Sequence, residues 1–227
     1  MGPAQGSQDF ATVIDEIKAL GTEKHKFKTL VIDSISKPFN MTINAEAERL
    51  GDKDAFGASK KPAMRNVASI IRWCDRVDMN VIVIAHEKAL WANGEQAGVT
   101  FDAPEKIEYE LHLCLNIVKQ GANRKAFVKK SRLEQFPDGS NFPWSYEEFS
   151  QRYGKEVIEG EVKQIVLASP EQILELSQLL EVVKLPEGET DKWLKKANAE
   201  SFAEMDSDKI AACIKMLKDK VTKSKGE

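Results

Sequence analysis

Hydrophobic and polar residues alternate along this chain in two distinct periods. Over residues 8–20, Phe10, Val13, Ile14, Ile17 and Leu20 recur at the spacing of one helix face, and Gly21 reads as the stop. After a charged turn, Thr29–Ile32 is apolar on both sides, the pattern of a buried central strand in a parallel sheet. Residues 36–61 look irregular, polar and glycine-dotted. A second helix follows Pro62, striped by Val67, Ile70, Ile71, Cys74 and Val77. VIVIA, residues 81–85, forms another apolar strand ending in His86-Glu87, and 87–104 reads as a long loop containing Asn93-Gly94.

A helical turn near 105–110 leads to residues 111–119. There Leu111, Leu113, Leu115 and Ile117 alternate with His112, Cys114 and Asn116, which is strand period. The turn QGANR joins this strand to KAFVKKSR, 125–132, as an antiparallel hairpin. The composition shifts near 155–169. Ser169, Pro170 and Gln172 then spell a capping box with proline at the first helical position. Helices are expected near 170–185, 190–198 and 206–222, the first striped by Ile173, Leu176, Leu179, Leu180 and Val183. Trp193 and Leu194 anchor the second, and Ile210, Cys213, Ile214, Leu217 and Val221 stripe the third. Strands separated by helices argue for a layered α/β fold.

Composition narrows the function classes. Of 227 residues, 42% are hydrophobic and 30% charged, enough apolar material for a buried core. The net charge of −3 excludes a globally basic nucleic-acid binder but leaves room for local basic patches. Cys74, Cys114 and Cys213 are widely spaced, without a CxxC pair. They fit reduced structural thiols in a cytoplasmic protein better than a disulfide framework or a zinc site. MGPAQGSQDF carries no secretory apolar core, and no apolar run approaches the ~20 residues of a membrane span.

Candidate chemistry gathers where two apolar strands end in polar groups, Asp33-Ser34 and His86-Glu87. Ligands of open α/β sheets bind at that carboxyl edge. A carboxylate there can orient magnesium-bound water, and a histidine one strand over can sense a phosphate. Asp-Ser after a strand is also ordinary turn chemistry. Val128, Lys130 and Arg132 share one face by the period of two, placing two cations together or lining a solvated edge strand. Lys60, Lys61 and Arg65 open the second helix, a position suited to phosphate as well as to solvent.

LVIDSISKPFN, VIVIAHEKALW, TFDAPEK and VKKSRLEQFP jointly resemble the phage-encoded RecA-like, AAA-type nucleotide-binding proteins of the single-strand-annealing ATPase group. The resemblance covers roughly residues 8–145. It implies a partial RecA-like (P-loop NTPase) core with a mostly parallel sheet and a C-terminal hairpin over 1–155. A linker at 156–169, a three-helix docking module at 170–222 and a frayed tail at 223–227 complete the expected organisation. It also implies Mg2+ and ATP as cofactors. Asp33 would be the Walker B acid, holding magnesium through water, with Ser34 beside it. His86 would be the sensor, and Lys130 and Arg132 a finger reaching a neighbouring subunit's nucleotide. Loops 36–61 and 87–104 would meet single-stranded DNA through Lys53, Lys60, Lys61, Lys88 and Trp91.

The sequence departs from that family in one respect. No G-x-x-x-x-G-K-[ST] phosphate loop occurs in the 227 residues; Lys-Ser pairs at 130–131 and 223–224 lack the glycines. Three expectations follow. The chain is a truncated or split recombination-type ATPase of a phage, cytoplasmic in its bacterial host and inactive alone, with its own subunits or a missing N-terminal half as partners. Alternatively it is a non-hydrolytic module that binds single-stranded DNA or other subunits. In the third reading it is an unrelated α/β adaptor working through its C-terminal helices.

Overall fold

The computed structural model describes residues 9–224. In chain order it contains α1 (Phe10–Thr22), β1 (Thr29–Asp33), α2 (Ser36–Leu50), α3 (Lys60–Cys74), β2 (Asn80–Ile84), β3 (Glu87–Ala92), β4 (Glu95–Phe101) and α4 (Ile107–Glu110). Then follow β5 (Leu113–Gln120), β6 (Asn123–Ser131), β7 (Asn141–Pro143), α5 (Tyr146–Tyr153), α6 (Lys155–Ile158), α7 (Pro170–Val182), α8 (Glu189–Ala197) and α9 (Ser207–Ser224). Two compact units divide it. One comprises the chain up to Ile14 with Lys26–Ile71 and Met79–Val162; the other comprises Asp15–His25, Arg72–Asp78 and Lys163–Glu227. Among the described residues, no helix is long and apolar enough to cross a membrane.

The first unit is mixed α/β. β1 and β2 pair in parallel, Thr29 opposite Asn80 through Asp33 opposite Ile84. Every other described strand pair is antiparallel: β3 with β4, and β6 with both β5 and β7. The sheet expected to be mostly parallel is therefore one parallel pair accompanied by antiparallel ribbons. The expected burial of β1 is also corrected. Its residues alternate between exposed and half-buried, with Val31 51% exposed and, on β2, Ile82 46% and Ile84 38%. β-Branched runs fit a doubly covered strand, but here one face of the pair lies open, and sequence pattern does not say which faces receive a cover.

Two stretches read as irregular are regular. α2 occupies 36–50 because its proline, Pro38, lies in the first turn, where a missing N–H costs little. Phe39 is buried on its inner side, and the Ala45–Arg49 run favours helix. The supposed loop at 87–104 is chiefly the β3–β4 hairpin, turned by Asn93 (φ 54°) and Gly94 (φ 83°) between the paired Ala92 and Glu95. Asn-Gly is the residue pair that a two-residue hairpin turn with two positive φ angles demands. The β5–β6 hairpin matches its alternating pattern. Beneath it lies a core of Ala126, Val128, Phe136 and Phe142, joined by Phe149 and Trp144.

In the second unit, the helices α7, α8 and α9 stand where their stripes place them. The capping box of α7 is complete: the Gln172 N–H donates to Ser169 Oγ at 3.3 Å, and the Ser169 N–H donates to Gln172 Oε1 at 2.9 Å. Leu176, Met205, Ile210, Ile214 and Leu217 form the core. α9 continues to Ser224, into the expected frayed tail; 225–227 and the start of the predicted helix at Gln8 lie outside the described residues. Gly21, read as a helix stop, sits inside α1 instead. A Cβ there would come within 3.0 Å of Val77 and 3.3 Å of Ile165, so the glycine permits close packing within this unit.

Candidate functional site at the strand ends

Asp33 ends β1, and His86 lies two residues beyond Ile84, the partner of Asp33 on β2. The peptide between Asp33 and Ser34 is cis. The chain then turns at once into α2. Two hydrogen bonds fasten the strand exits together: the Ile35 N–H donates to the Ile84 carbonyl at 2.9 Å, and the His86 N–H donates to Ser36 Oγ at 2.8 Å. Ser36 is only 1% exposed, whereas Asp33 and His86 face solvent. The Asp33 carboxylate has no ion pair or hydrogen bond among the described residues, so it is free to meet a hydrated cation.

Asp102, just past β4, completes this edge. Its N–H donates to the His86 carbonyl at 2.7 Å, closing the root of the β3–β4 hairpin. Its carboxylate accepts from Asn40 Nδ2 of α2 and pairs with Lys88 Nζ at 3.3 Å. Ser36, Asn40 and Asp102 were not singled out in the sequence. The contact between Asn40 and Asp102 spans 62 positions, and no local pattern encodes it. For Ser36, the second serine of DSIS was the available signal.

Replacing the buried Ser36 by alanine leaves the His86 amide without the acceptor of a part-buried hydrogen bond. The expected loss is about 1–3 kcal/mol, with faster hydrogen exchange at His86 and a shifted imidazole resonance. Unchanged exchange at that amide would show that the serine does not fasten the strand ends.

Lys130 and Arg132 are held elsewhere in the same unit. Lys130 Nζ donates to the Leu111 carbonyl and Arg132 Nη2 to the Tyr109 carbonyl, while the Arg132 N–H donates to the His112 carbonyl at 2.8 Å. Their expected common face with Val128 does not hold. A β-bulge places Lys130 opposite Cys114 and Val128 opposite Leu115, consecutive residues that point to opposite sides. Val128 is buried in the core and Arg132 is exposed.

The five residues expected at DNA also divide. Lys53 lies in a short helical turn and Lys60 and Lys61 in the first turn of α3, all exposed. Lys88 and Trp91 lie on the β3–β4 hairpin, and Lys88 is engaged by Asp102. Phe56, at φ 54° and fully exposed, stands between Lys53 and Lys60 and escaped the sequence reading.

No group of three or more histidine, cysteine or acidic side chains suited to a metal ion occurs among the described residues. The thiols are unreactive by environment: burial, then Asp75, pushes Cys74 up to about 12, and burial leads the upward shifts of Cys114 and Cys213. The unpartnered Asp33 fits a magnesium-bound water. The glycine-lined amides and lysine that would hold nucleotide phosphates have no counterpart in the sequence.

Compared with known proteins, residues 4–138 match the family profile described as AAA domain, more than half of the 227 residues. No curated protein and no solved structure matches the chain.

Proposed function

Since the chain belongs to the AAA domain family, a family of nucleotide-binding, ATPase-like proteins, we propose that it contributes the Walker B side of a RecA-like ATP site used in phage DNA recombination. The observation that carries this reading is the free Asp33 carboxylate at the carboxyl end of a parallel strand pair, beside a His86 whose backbone Ser36 fastens. In it, Asp33 orients a magnesium-bound water, Ser34 supports it and His86 senses the phosphates. The magnesium, when bound, supplies charge neutralisation at those phosphates. Lys130 and Arg132 reach toward a neighbouring subunit's nucleotide; each has N–H donors beyond the one directed at Leu111 or Tyr109.

The 227 residues hold no counterpart of the glycine-rich phosphate cradle, so the Walker B side is the part of the site they contribute. The reading assigns that cradle to polypeptide outside them, in the same protein or a separate chain. Purified chain with Mg·ATP is expected to show no turnover above an Asp33→Ala control. Turnover that this substitution abolishes would overturn the division of the site.

A second reading is a non-hydrolytic module for single-stranded DNA or subunit contact. Exposed Lys53, Lys60 and Lys61 around a wholly exposed Phe56 favour it, because phosphate contact with base stacking is how single strands are held. Fluorescent oligonucleotide titration at two salt concentrations tests it. Binding that weakens with salt and is reduced by Phe56→Ala supports it, and no binding at either salt rejects it. Docking through the C-terminal helices and a cytoplasmic location in a bacterial host belong to the same proposal.

A further inference from the structure

We propose that Asn93 is a site of self-modification: its side chain cyclises onto the Gly94 nitrogen and hydrolyses to isoaspartate, which opens the β3–β4 hairpin. The modification lies outside the nucleotide reading and does not depend on it. Asn93 is the one asparagine followed by glycine in the 227 residues. Both residues are exposed, and a Cβ on Gly94 would meet nothing within 4 Å, so a ring has room to form. Among the described residues, neither the Asn93 carboxamide nor the Gly94 N–H has a hydrogen-bond partner. Nucleophile and electrophile are therefore adjacent, and both are free.

Comparable positions are held. Asn198 also has a positive φ, 55°, but the next amide, that of Ala199, donates to the Leu194 carbonyl at 3.0 Å. Asp138 also precedes a glycine, but the Gly139 N–H donates to the Val128 carbonyl at 2.9 Å. The remaining asparagines stand in α2, α3 and the strands β2, β5, β6 and β7. At residue 93 the restraint is the hairpin itself, because ring closure needs the Asn93–Gly94 peptide to rotate out of the turn. Only two pairs, Trp91 with Gln96 and Ala92 with Glu95, lie beyond the bulge at Leu90 and Trp91. A two-stranded ribbon in water is marginal, so this tip opens locally.

Water is the only co-reactant. The Gly94 nitrogen gives its proton to solvent and bonds to Asn93 Cγ. The Cγ–Nδ2 bond breaks and ammonia leaves, closing a cyclic imide. Water then opens the imide at one of its two carbonyls, with no change of oxidation state. Breaking the original peptide bond routes the main chain through Cγ as isoaspartate; breaking the new bond gives aspartate. Isoaspartate adds a main-chain carbon to a turn built from two residues at positive φ, and places a carboxylate beside Glu95. The Ala92–Glu95 pairing is then lost, and the hairpin becomes an open, more acidic loop around Trp91.

Ageing the full chain in mildly alkaline buffer tests this, with peptide mass mapping that separates isoaspartate from aspartate. Modification is expected at residue 93 ahead of every other asparagine. Hydrogen exchange of the aged chain is expected to lose protection across β3 and β4 and to keep it in β5, β6 and β7. In Gly94→Ala a Cβ at φ 83° loosens the turn yet obstructs the nitrogen, so modification is expected to slow. Asn93→Gly keeps a turn-forming pair without the carboxamide, and its hairpin is expected to stay protected through ageing. Fresh Asn93→Asp carries the new charge on an unlengthened backbone and is expected to keep its pairing. Modification at residue 93 no faster than at Asn198 overturns the proposal. So does a modified chain with the protection of fresh protein, a Gly94→Ala variant modified faster than wild type, or an Asn93→Gly or fresh Asn93→Asp variant whose hairpin loses protection as aged wild type does.

Discussion

Phe136→Ala is expected to cost the first unit about 3–5 kcal/mol, the range for emptying a buried aromatic site. Phe136 is 1% exposed, and its ring centroid lies 5.6 Å from that of Phe142 and 5.4 Å from that of Phe149. Around it the chain is tightly bonded: the Gly139 N–H donates to the Val128 carbonyl at 2.9 Å, and the Val128 N–H donates to the Ser140 carbonyl at 2.8 Å. A pocket framed by paired strands collapses poorly, so the cavity persists and its full cost is felt. Hydrogen exchange of the β5, β6 and β7 amides is the measurement, because it reads this unit by itself. Protection unchanged from wild type would show that the ring is dispensable. Phe56→Ala is the contrast. That side chain covers nothing, and its loss is expected to stay within about 0.5 kcal/mol.

Glu204→Gln is expected to destabilise the second unit by about 3 kcal/mol, the lower end for breaking a largely buried ion pair. The Glu204 carboxylate meets Arg72 at 2.7 Å and Lys18 at 3.2 Å, and accepts the Glu200 N–H at 3.1 Å. Arg72 and Glu204 side chains are 12% and 14% exposed. The amide keeps the shape but leaves two cations facing a neutral group. Beside them, Arg76 donates to Asp206 at 2.9 Å and lies 4.3 Å from the centre of the Trp73 ring.

The sign of the pH dependence follows from the same contacts. Burial raises the Glu204 pKa, but the Glu200 amide, then Arg72 and Lys18, outweigh it, leaving it below its ordinary 4.5. For Asp206, burial is likewise outweighed by Lys209 and Arg76, leaving it below its ordinary 3.8. Both groups are lowered in the folded state. Their stabilisation is therefore complete above those ordinary values and is lost as pH falls through the depressed ones. Acid titration of the second unit's unfolding should show this loss, with a shallower slope in Glu204→Gln. Equal slopes would remove Glu204 from the acid response.

Much of the secondary structure was legible in the chain. The stripes of α3, α7, α8 and α9 needed only the helical period. Leu113–Ile117 and the strand after QGANR needed only alternation, and Ser169 with Gln172 needed only local reach. Elements were missed where a familiar breaker was in its permitted place. Pro38 fits the first turn of α2, and Asn93-Gly94 is itself the hairpin signal inside what was read as loop. α5 and α6, over 146–158, fell at the edge of the expected linker and carried no strong stripe.

The sequence by itself determined most of the helices, the β1, β2, β5 and β6 strands, the polar residues at the strand ends, and the absence of a glycine-rich phosphate loop from these 227 residues. These depend on spacing along a few turns or residues. The tertiary structure alone decided that Ser36 clamps His86, that Asp102 gathers Asn40 and Lys88, and that a bulge separates Lys130 from the Val128 face. It also decided that Trp91 and Phe56 stand in solvent rather than in a core. Those outcomes rest on contacts between residues far apart in the chain and on which faces receive a cover, and neither is a property of local periodicity.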